Sequence, residues 1–261
     1  MDGVEKIAAI RLCPLEDSTS LLDDPAALRV RADRDGFLFF RALIAAGDVL
    51  PLRDSVLDYA GRNGWLETTA HASDSLALPA KRIGCYTDSD WIGLQAHVRN
   101  GSAIWDLGNT ASISRALRAA DPLGRWTLST AVICRVCSPH PDMATPPHTD
   151  AQYVHSMGDF WTAWIPLQDS PQELGPIALA AGSHLHGAPQ HRTPAVDEIE
   201  WSTADFGVGD VVLFRARTLH RALPNRSGDR LRLSVDLRYG VWNETMEIDW
   251  RAATLSAALG A

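Results

Sequence analysis

Pro146-Pro147-His148-Thr149-Asp150 places an imidazole and a carboxylate two residues apart. On an extended segment, residues i and i+2 project to the same face, so both groups could reach one cation. Two histidines and one carboxylate around a divalent first-row metal, with positions left open, form the ligand set of non-haem Fe(II) oxygenases. His-x-Asp alone is common, and its plain alternative is a core histidine beside a surface carboxylate. A second imidazole, His220, closes the run Gly209 to His220, which reads as a turn followed by a buried strand. The turn formers of Pro224 to Asp229 follow.

From Arg230 to Tyr239 the chain alternates, with apolar residues at odd positions and polar or charged ones at even positions. Such a strand packs one face on a core and presents the other to something wet and charged. Arg230, Arg232 and Ser234 share the second face. Arginine grips a carboxylate bidentately, so this strand offers an anion seat.

These residues and their order resemble the phytanoyl-CoA dioxygenase family of Fe(II)/2-oxoglutarate oxygenases. Besides His148-x-Asp150, His220 and the arginines, Asp35-Gly36-Phe37 to Arg41 is similar to that family's N-terminal strand. Trp164 to Leu167, Gly175-Pro176-Ile177 and Gly182-Ser183-His184 are similar to its central strands. Arg232 to Tyr239 resembles the last core strand of one bacterial and fungal branch. The resemblance implies that His148, Asp150 and His220 hold Fe(II), leaving sites for 2-oxoglutarate and dioxygen (O2). It also implies that an arginine holds the distal carboxylate of 2-oxoglutarate. Arg230 and Arg232 both fall in range, and Arg232-x-Ser234 is the favoured pattern. Trp164 matches a tryptophan beside the co-substrate, with ordinary core as its alternative. Related halogenases carry a small residue where Asp150 stands, so the carboxylate argues for hydroxylation. Gln152, Tyr153, His155 and Trp161 follow the metal motif and are candidates to face a substrate.

Around this site the elements read as follows. Asp24-Pro25 starts a helix to about Arg34, Gly36 to Leu43 is a strand, and Asp48 to Tyr59 is an amphipathic helix. Residues 62–108 are irregular and rich in Trp, Gly and Ser. They are expected to be a cover that borders the pocket, or else static surface. Thr110 to Ala120 is a helix. Strands are predicted over 126–137, 148–156, 159–168, 175–181, 201–206, 209–219 and 230–241. Short strands between Gly/Pro turns indicate a mainly β sandwich or jelly roll with flanking helices. The family resemblance makes that a double-stranded β-helix. A single domain spanning 1–261 is expected, with a helical cover over about 1–125 and the barrel core over about 126–242.

The chain has 261 residues, 46% of them hydrophobic, which suffices for one sizeable core. A net charge of −8 argues against nucleic acid or an anionic membrane as partner and says little about the substrate, because a pocket can be locally basic inside an acidic protein. Lys6 and Lys81 are the only lysines, a bias expected of a GC-rich bacterial genome. No Lys/Arg cluster suits the phosphates of coenzyme A. Four cysteines form no secreted disulfide framework, and Cys134-x-x-Cys137 lacks a second pair for zinc. With neither a signal peptide nor a long apolar span, a cytoplasmic location is expected. The expected activity is oxidation of a small molecule, a bacterial secondary metabolite by family habit, with release of succinate and CO2. Desaturation, epimerisation and cyclisation use the same oxidant. Two other classes fit less well: a silent metal-binding sensor barrel, and a zinc hydrolase, which needs no carboxylate grip.

Overall fold

A computed structural model describes residues 11–67, 74–78, 82–83, 88–124, 126–141, 144–154, 158–186 and 199–240. Its first strand is β1 (Arg11–Pro14), followed by helix α1 (Pro25–Asp35). Asp24 caps that helix by accepting from the Ala27 amide, and Gly36 ends it with φ 81°. Strand β2 (Phe37–Phe40) leads to α2 (Ala46–Arg62), then α3 (Ser89–Asn100), α4 (Ala103–Gly108) and α5 (Ala111–Ala120). The remaining strands are β3 (Thr127–Leu128), β4 (Ile133–Cys137), β5 (Phe160–Pro166), β6 (Ile177–Leu179), β7 (Glu200–Thr203), β8 (Val211–Arg215), β9 (His220–Ala222) and β10 (Arg232–Gly240).

Two sheets face each other. The smaller runs β1-β7-β6-β9, and the larger runs β2-β8-β5-β10-β3, with β4 also paired to β10. All pairings are antiparallel except β1 with β7. This is the jelly-roll arrangement of a double-stranded β-helix with helices on one side, and among the described residues the strands do not close into a barrel. Strand alternation decides which residues meet which layer. From the larger sheet, Leu38, Trp161, Ala163, Ile165, Leu213, Leu233, Val235 and Leu237 pack under the helices. Phe37, Phe39, Trp164, Val212 and Phe214 face inward with Ile177 and Leu179 of the smaller sheet. Covered on both faces, β5 and β10 are buried along their whole length.

Four expectations need correction. The described part of the segment 148–156, residues 148–154, is not a strand. His148 forms a single bridge to His220, and a 3-10 turn, Asp150–Gln152, follows at once. The expected strand 209–219 ends at Arg215; a turn then carries the chain into the smaller sheet as β9. The described parts of 62–108 contain two helices. Asp88 caps α3 by accepting from the Asp90 amide, and Leu94 and Val98 bury in the core beneath. Interruptions such as Gly93 hid that helical period. Finally, the division into helical cover and β core is crossed by β1 and β2, which come from the N-terminal part and join both sheets. Among the described residues, no helix is long and apolar enough to cross a membrane.

The lead into β6 passes directly against the lead out of β9. Gly175 has φ 69°, and a Cβ there would lie 2.3 Å from the Leu223 carbonyl oxygen. Gly158 has φ 66° with nothing within 4 Å. Gly158→Ala should therefore cost about 1 kcal/mol of backbone strain. Gly175→Ala adds an overlap with fixed backbone and should cost at least roughly twice that. Urea unfolding of the two variants checks the order, and equal losses would contradict the close approach.

Candidate metal centre

His148, Asp150 and His220 are all buried, and a ligand atom from each lies within 4.8 Å of the others. Their convergence comes from two elements rather than from strand alternation. His148 and His220 exchange backbone hydrogen bonds, N to O, at 2.9 Å in both directions. Thr149 then stands at the N-cap of the 3-10 turn, with the Gln152 side chain accepting from its amide, and the turn brings Asp150 Oδ1 within 3.7 Å of His220 Nε2. The rings lie 4.2 Å apart between centroids.

Each ring is oriented from behind. His148 Nδ1 lies 2.9 Å from the Pro146 carbonyl, and His220 Nδ1 lies 3.0 Å from the Thr218 carbonyl. A carbonyl can only accept, so Nδ1 carries the proton and Nε2 of each ring is left as a metal-binding lone pair. Burial is the main force holding both rings neutral. It pulls His148 down to about 3, helped by repulsion from His220, and lowers His220 as well.

Asp150 is gripped by a group that the sequence reading had not singled out. Arg238 Nε donates to Oδ2 at 3.0 Å and Nη2 donates to Oδ1 at 3.1 Å, while the Thr162 hydroxyl donates to Oδ2 at 2.7 Å. Burial opposes the Asp150 charge, but the Arg238 guanidinium and the neighbouring imidazoles outweigh it and hold the carboxyl well below the usual range. Arg238 also donates to the Ala131 carbonyl at 3.0 Å and is only 2% exposed. Two neutral imidazoles and one fixed carboxylate suit a divalent first-row metal.

The inner face of β10 continues from the metal centre as Asp236, Ser234 and Arg232. Asp236 accepts from Arg135 Nε at 2.6 Å. Arg232 and Asp236 line a cavity together with His148, His220, Trp164 and Ile177. Arg232 Nε on its wall, and Ser234 Oγ two residues further along β10, are buried without a hydrogen-bond partner among the described residues. Orphaned donors beside a metal centre fit an anionic ligand such as the distal carboxylate of a 2-oxo acid. Arg230 precedes the strand, pairs with Glu173 and lines a different cavity.

The other expected residues scatter. Trp164 faces the cavity, edge-on to Phe206 at 4.8 Å. Trp161 points the opposite way, into the helix-covered core beneath Arg215, because odd and even residues of β5 face different layers. Gln152 is used in the cap of the 3-10 turn, and Tyr153 stands edge-on to His148 at 5.5 Å. His155 lies outside the described residues. Cys134 and Cys137 point to opposite faces of β4, so they form no chelate. None of the described residues of 62–108 lines the metal cavity; α3 and α4 pack on the far side of the larger sheet.

The profile of the phytanoyl-CoA dioxygenase (PhyH) family matches residues 32–233, more than three quarters of the chain. The chain belongs to the phytanoyl-CoA dioxygenase family. It is a non-haem iron, 2-oxoglutarate-dependent dioxygenase. Among relatives of this dioxygenase is a 1-deoxypentalenic acid 11-beta-hydroxylase of Streptomyces arenae, 30% identical over 246 residues, covering 85% of this chain and 83% of the relative. The enzyme of the same description from Streptomyces exfoliatus is 26% identical over 242 residues, with 85% and 83% covered. The epimerase SnoN, solved with Fe3+, alpha ketoglutarate and nogalamycin RO, shares the fold at TM-score 0.60 and 21% identity, with 83% of this chain and 84% of that chain covered. AviO1 of Streptomyces viridochromogenes Tue57 does so at TM-score 0.57 and 20% identity, with 84% and 95% covered.

Two outcomes follow from this geometry. Arg238→Met should weaken Co(II) or Ni(II) binding roughly 10- to 100-fold, as loss of a group orienting a ligand does elsewhere, and Thr162→Val should weaken it less. Metal titration followed by thermal shift reads both, and wild-type affinity in Arg238→Met would remove the guanidinium from the centre's support. The metal-free protein should also lose stability in acid. His148 titrates near 3 when folded against 6.5 ordinarily, so the unfolded chain binds the extra proton between those values. That favours unfolding as pH falls through this window, by up to about 1.4 kcal/mol per pH unit. Unfolding in EDTA at pH 7, 6 and 5 measures the slope, and a flat profile contradicts it.

Proposed function

We propose that this dioxygenase hydroxylates a small-molecule substrate, a bacterial secondary metabolite, with 2-oxoglutarate and dioxygen converted to succinate and CO2. One observation carries the residue assignments: His148 and His220 of the buried His148–Asp150–His220 set line one cavity with Arg232, whose Nε, like the Ser234 hydroxyl next along β10, has no partner among the described residues. In this reading Nε2 of His148, Nε2 of His220 and an Asp150 oxygen hold Fe(II). Arg232 and Ser234 hold the distal carboxylate of 2-oxoglutarate, and Arg230 has no part in it. Iron and 2-oxoglutarate, when bound, supply the oxygen chemistry and two of the electrons that dioxygen takes up, and one oxygen atom enters the product hydroxyl.

The chain's own residues do the positioning. The carbonyls of Pro146 and Thr218 keep the imidazoles in one tautomer, and Arg238 keeps Asp150 charged. Trp164 and Ile177 line the cavity and pack in one apolar cluster with Phe206, giving the cavity an apolar side. Relatives named as hydroxylases of 1-deoxypentalenic acid support hydroxylation of a natural product. The shared fold with an epimerase, SnoN, and a carbocyclase, SnoK, supports a second reading in which the same centre ends in epimerisation or ring closure.

Succinate release with Fe(II), ascorbate and 2-oxoglutarate tests the assignment and separates a dioxygenase from a silent sensor. His148→Ala, Asp150→Ala and His220→Ala should each abolish it. Arg232→Ala should raise the KM for 2-oxoglutarate by about 10- to 100-fold, the loss of a charge-assisted contact. Arg230→Ala should change it less than about threefold, as an exposed ion pair would. Reversal of the two arginine effects overturns the assignment of the grip.

A further inference from the structure

The register of β4 against β10 sets Cys137 directly opposite Arg232. Asn225, itself buried, clamps this corner by donating from Nδ2 to the Cys137 carbonyl at 3.2 Å and to the Arg230 carbonyl at 2.8 Å. Inside the corner, Arg232 Nη2 stands against Cys137 Sγ and can donate to it. Arg232 is 1% exposed, and its Nε has no partner among the described residues. A buried donor left unmade costs about 1–3 kcal/mol, so the guanidinium is set for a ligand rather than for the fold.

A guanidinium has five N–H groups in one plane. Nη2 carries two of them, and the sulfur takes one. The other, with the N–H of Nε, runs along one edge of the group, and two parallel N–H groups match a carboxylate. We propose that Cys137 is a positioning residue for the co-substrate: its sulfur accepts from Arg232 and turns the unpaired edge of the guanidinium toward the distal carboxylate of 2-oxoglutarate. This inference rests on the assignment of Arg232 made above. Cys134, on the same strand, faces the helix-covered core and is fully buried, whereas Cys137 is half-buried on the cavity side. A carboxylate seated on Arg232 shields the thiol beside it.

Thiol labelling tests this in the full-length protein. Ni(II)-loaded protein is treated with N-ethylmaleimide with and without 2-oxoglutarate, and adducts are read peptide by peptide. Cys13, free and partly exposed at the far edge of the smaller sheet, is the internal reference. Labelling of Cys137 should slow at least about fivefold with 2-oxoglutarate, as for a thiol whose access is removed, while Cys13 is unaffected. Cys137→Ala should weaken 2-oxoglutarate binding by calorimetry about 3- to 10-fold, the value of one net hydrogen bond. Cys137→Ser keeps an acceptor and should recover most of that loss. Calorimetric binding together with unprotected Cys137 and wild-type affinity in the alanine variant overturns the role of Cys137 and leaves the dioxygenase reading standing. A lowered melting temperature without a change in affinity does the same. Absence of calorimetric binding to wild-type protein overturns both.

Discussion

The site depends on keeping one carboxylate charged where water does not reach it. Asp150 is 2% exposed, and an isolated charge in that position would cost several kcal/mol. Arg238 and Thr162 supply three hydrogen bonds and one compensating charge. Arg238 in turn sits near the end of β10, between β4 and β5, and its third contact is a backbone carbonyl of the segment leading into β4. Correct placement of this candidate metal ligand thus requires that β4, β5 and β10 be paired in register. A slip of one residue would turn Arg238 and Asp236 into the helix-covered core and bring Leu237 to the carboxylate.

The same alternation writes the rest of the cavity. Four even positions of β10 perform four tasks in a row: Arg238 supports Asp150, Asp236 pairs with Arg135, and Ser234 and Arg232 offer a hydroxyl and a guanidinium Nε that have no partner among the described residues. Odd positions between them pack beneath α3 and its neighbours. Helices on one side therefore serve the chemistry indirectly, by giving β10 an apolar face to bury and so fixing the direction of its charged face.

Much of this was legible in the sequence because it rests on period two. The alternation from Arg230 to Tyr239 is visible without any structure, and so are the turn formers that precede it. Position 230 shows the limit of that argument. It shares the polar phase, but the chain there bridges Leu76 and sends Arg230 outward to Glu173. His148-x-Asp150 has the right spacing for a different reason from the one the spacing suggests, since a capped 3-10 turn rather than a strand brings the two together. Arg238 was visible as another even position, yet nothing local says that it meets Asp150, 88 residues away. The fork between them is long-range, and local pattern carries no signal for it. Trp161 shows the converse: proximity to the motif in sequence places it on the wrong face of β5.

The central claim is that His148, Asp150 and His220 hold one metal through Nε2, Nε2 and a carboxylate oxygen, with 2-oxoglutarate reaching from it to Arg232. A crystal structure of the protein with Mn(II) and 2-oxoglutarate, phased to show the metal by anomalous scattering, tests this most directly. The account predicts a single anomalous peak among those three side chains. It also predicts density running from that peak to the Nε edge of Arg232, with Asp150 still forked by Arg238. A peak elsewhere, ligation through Nδ1, or a distal carboxylate seated on another arginine would contradict it.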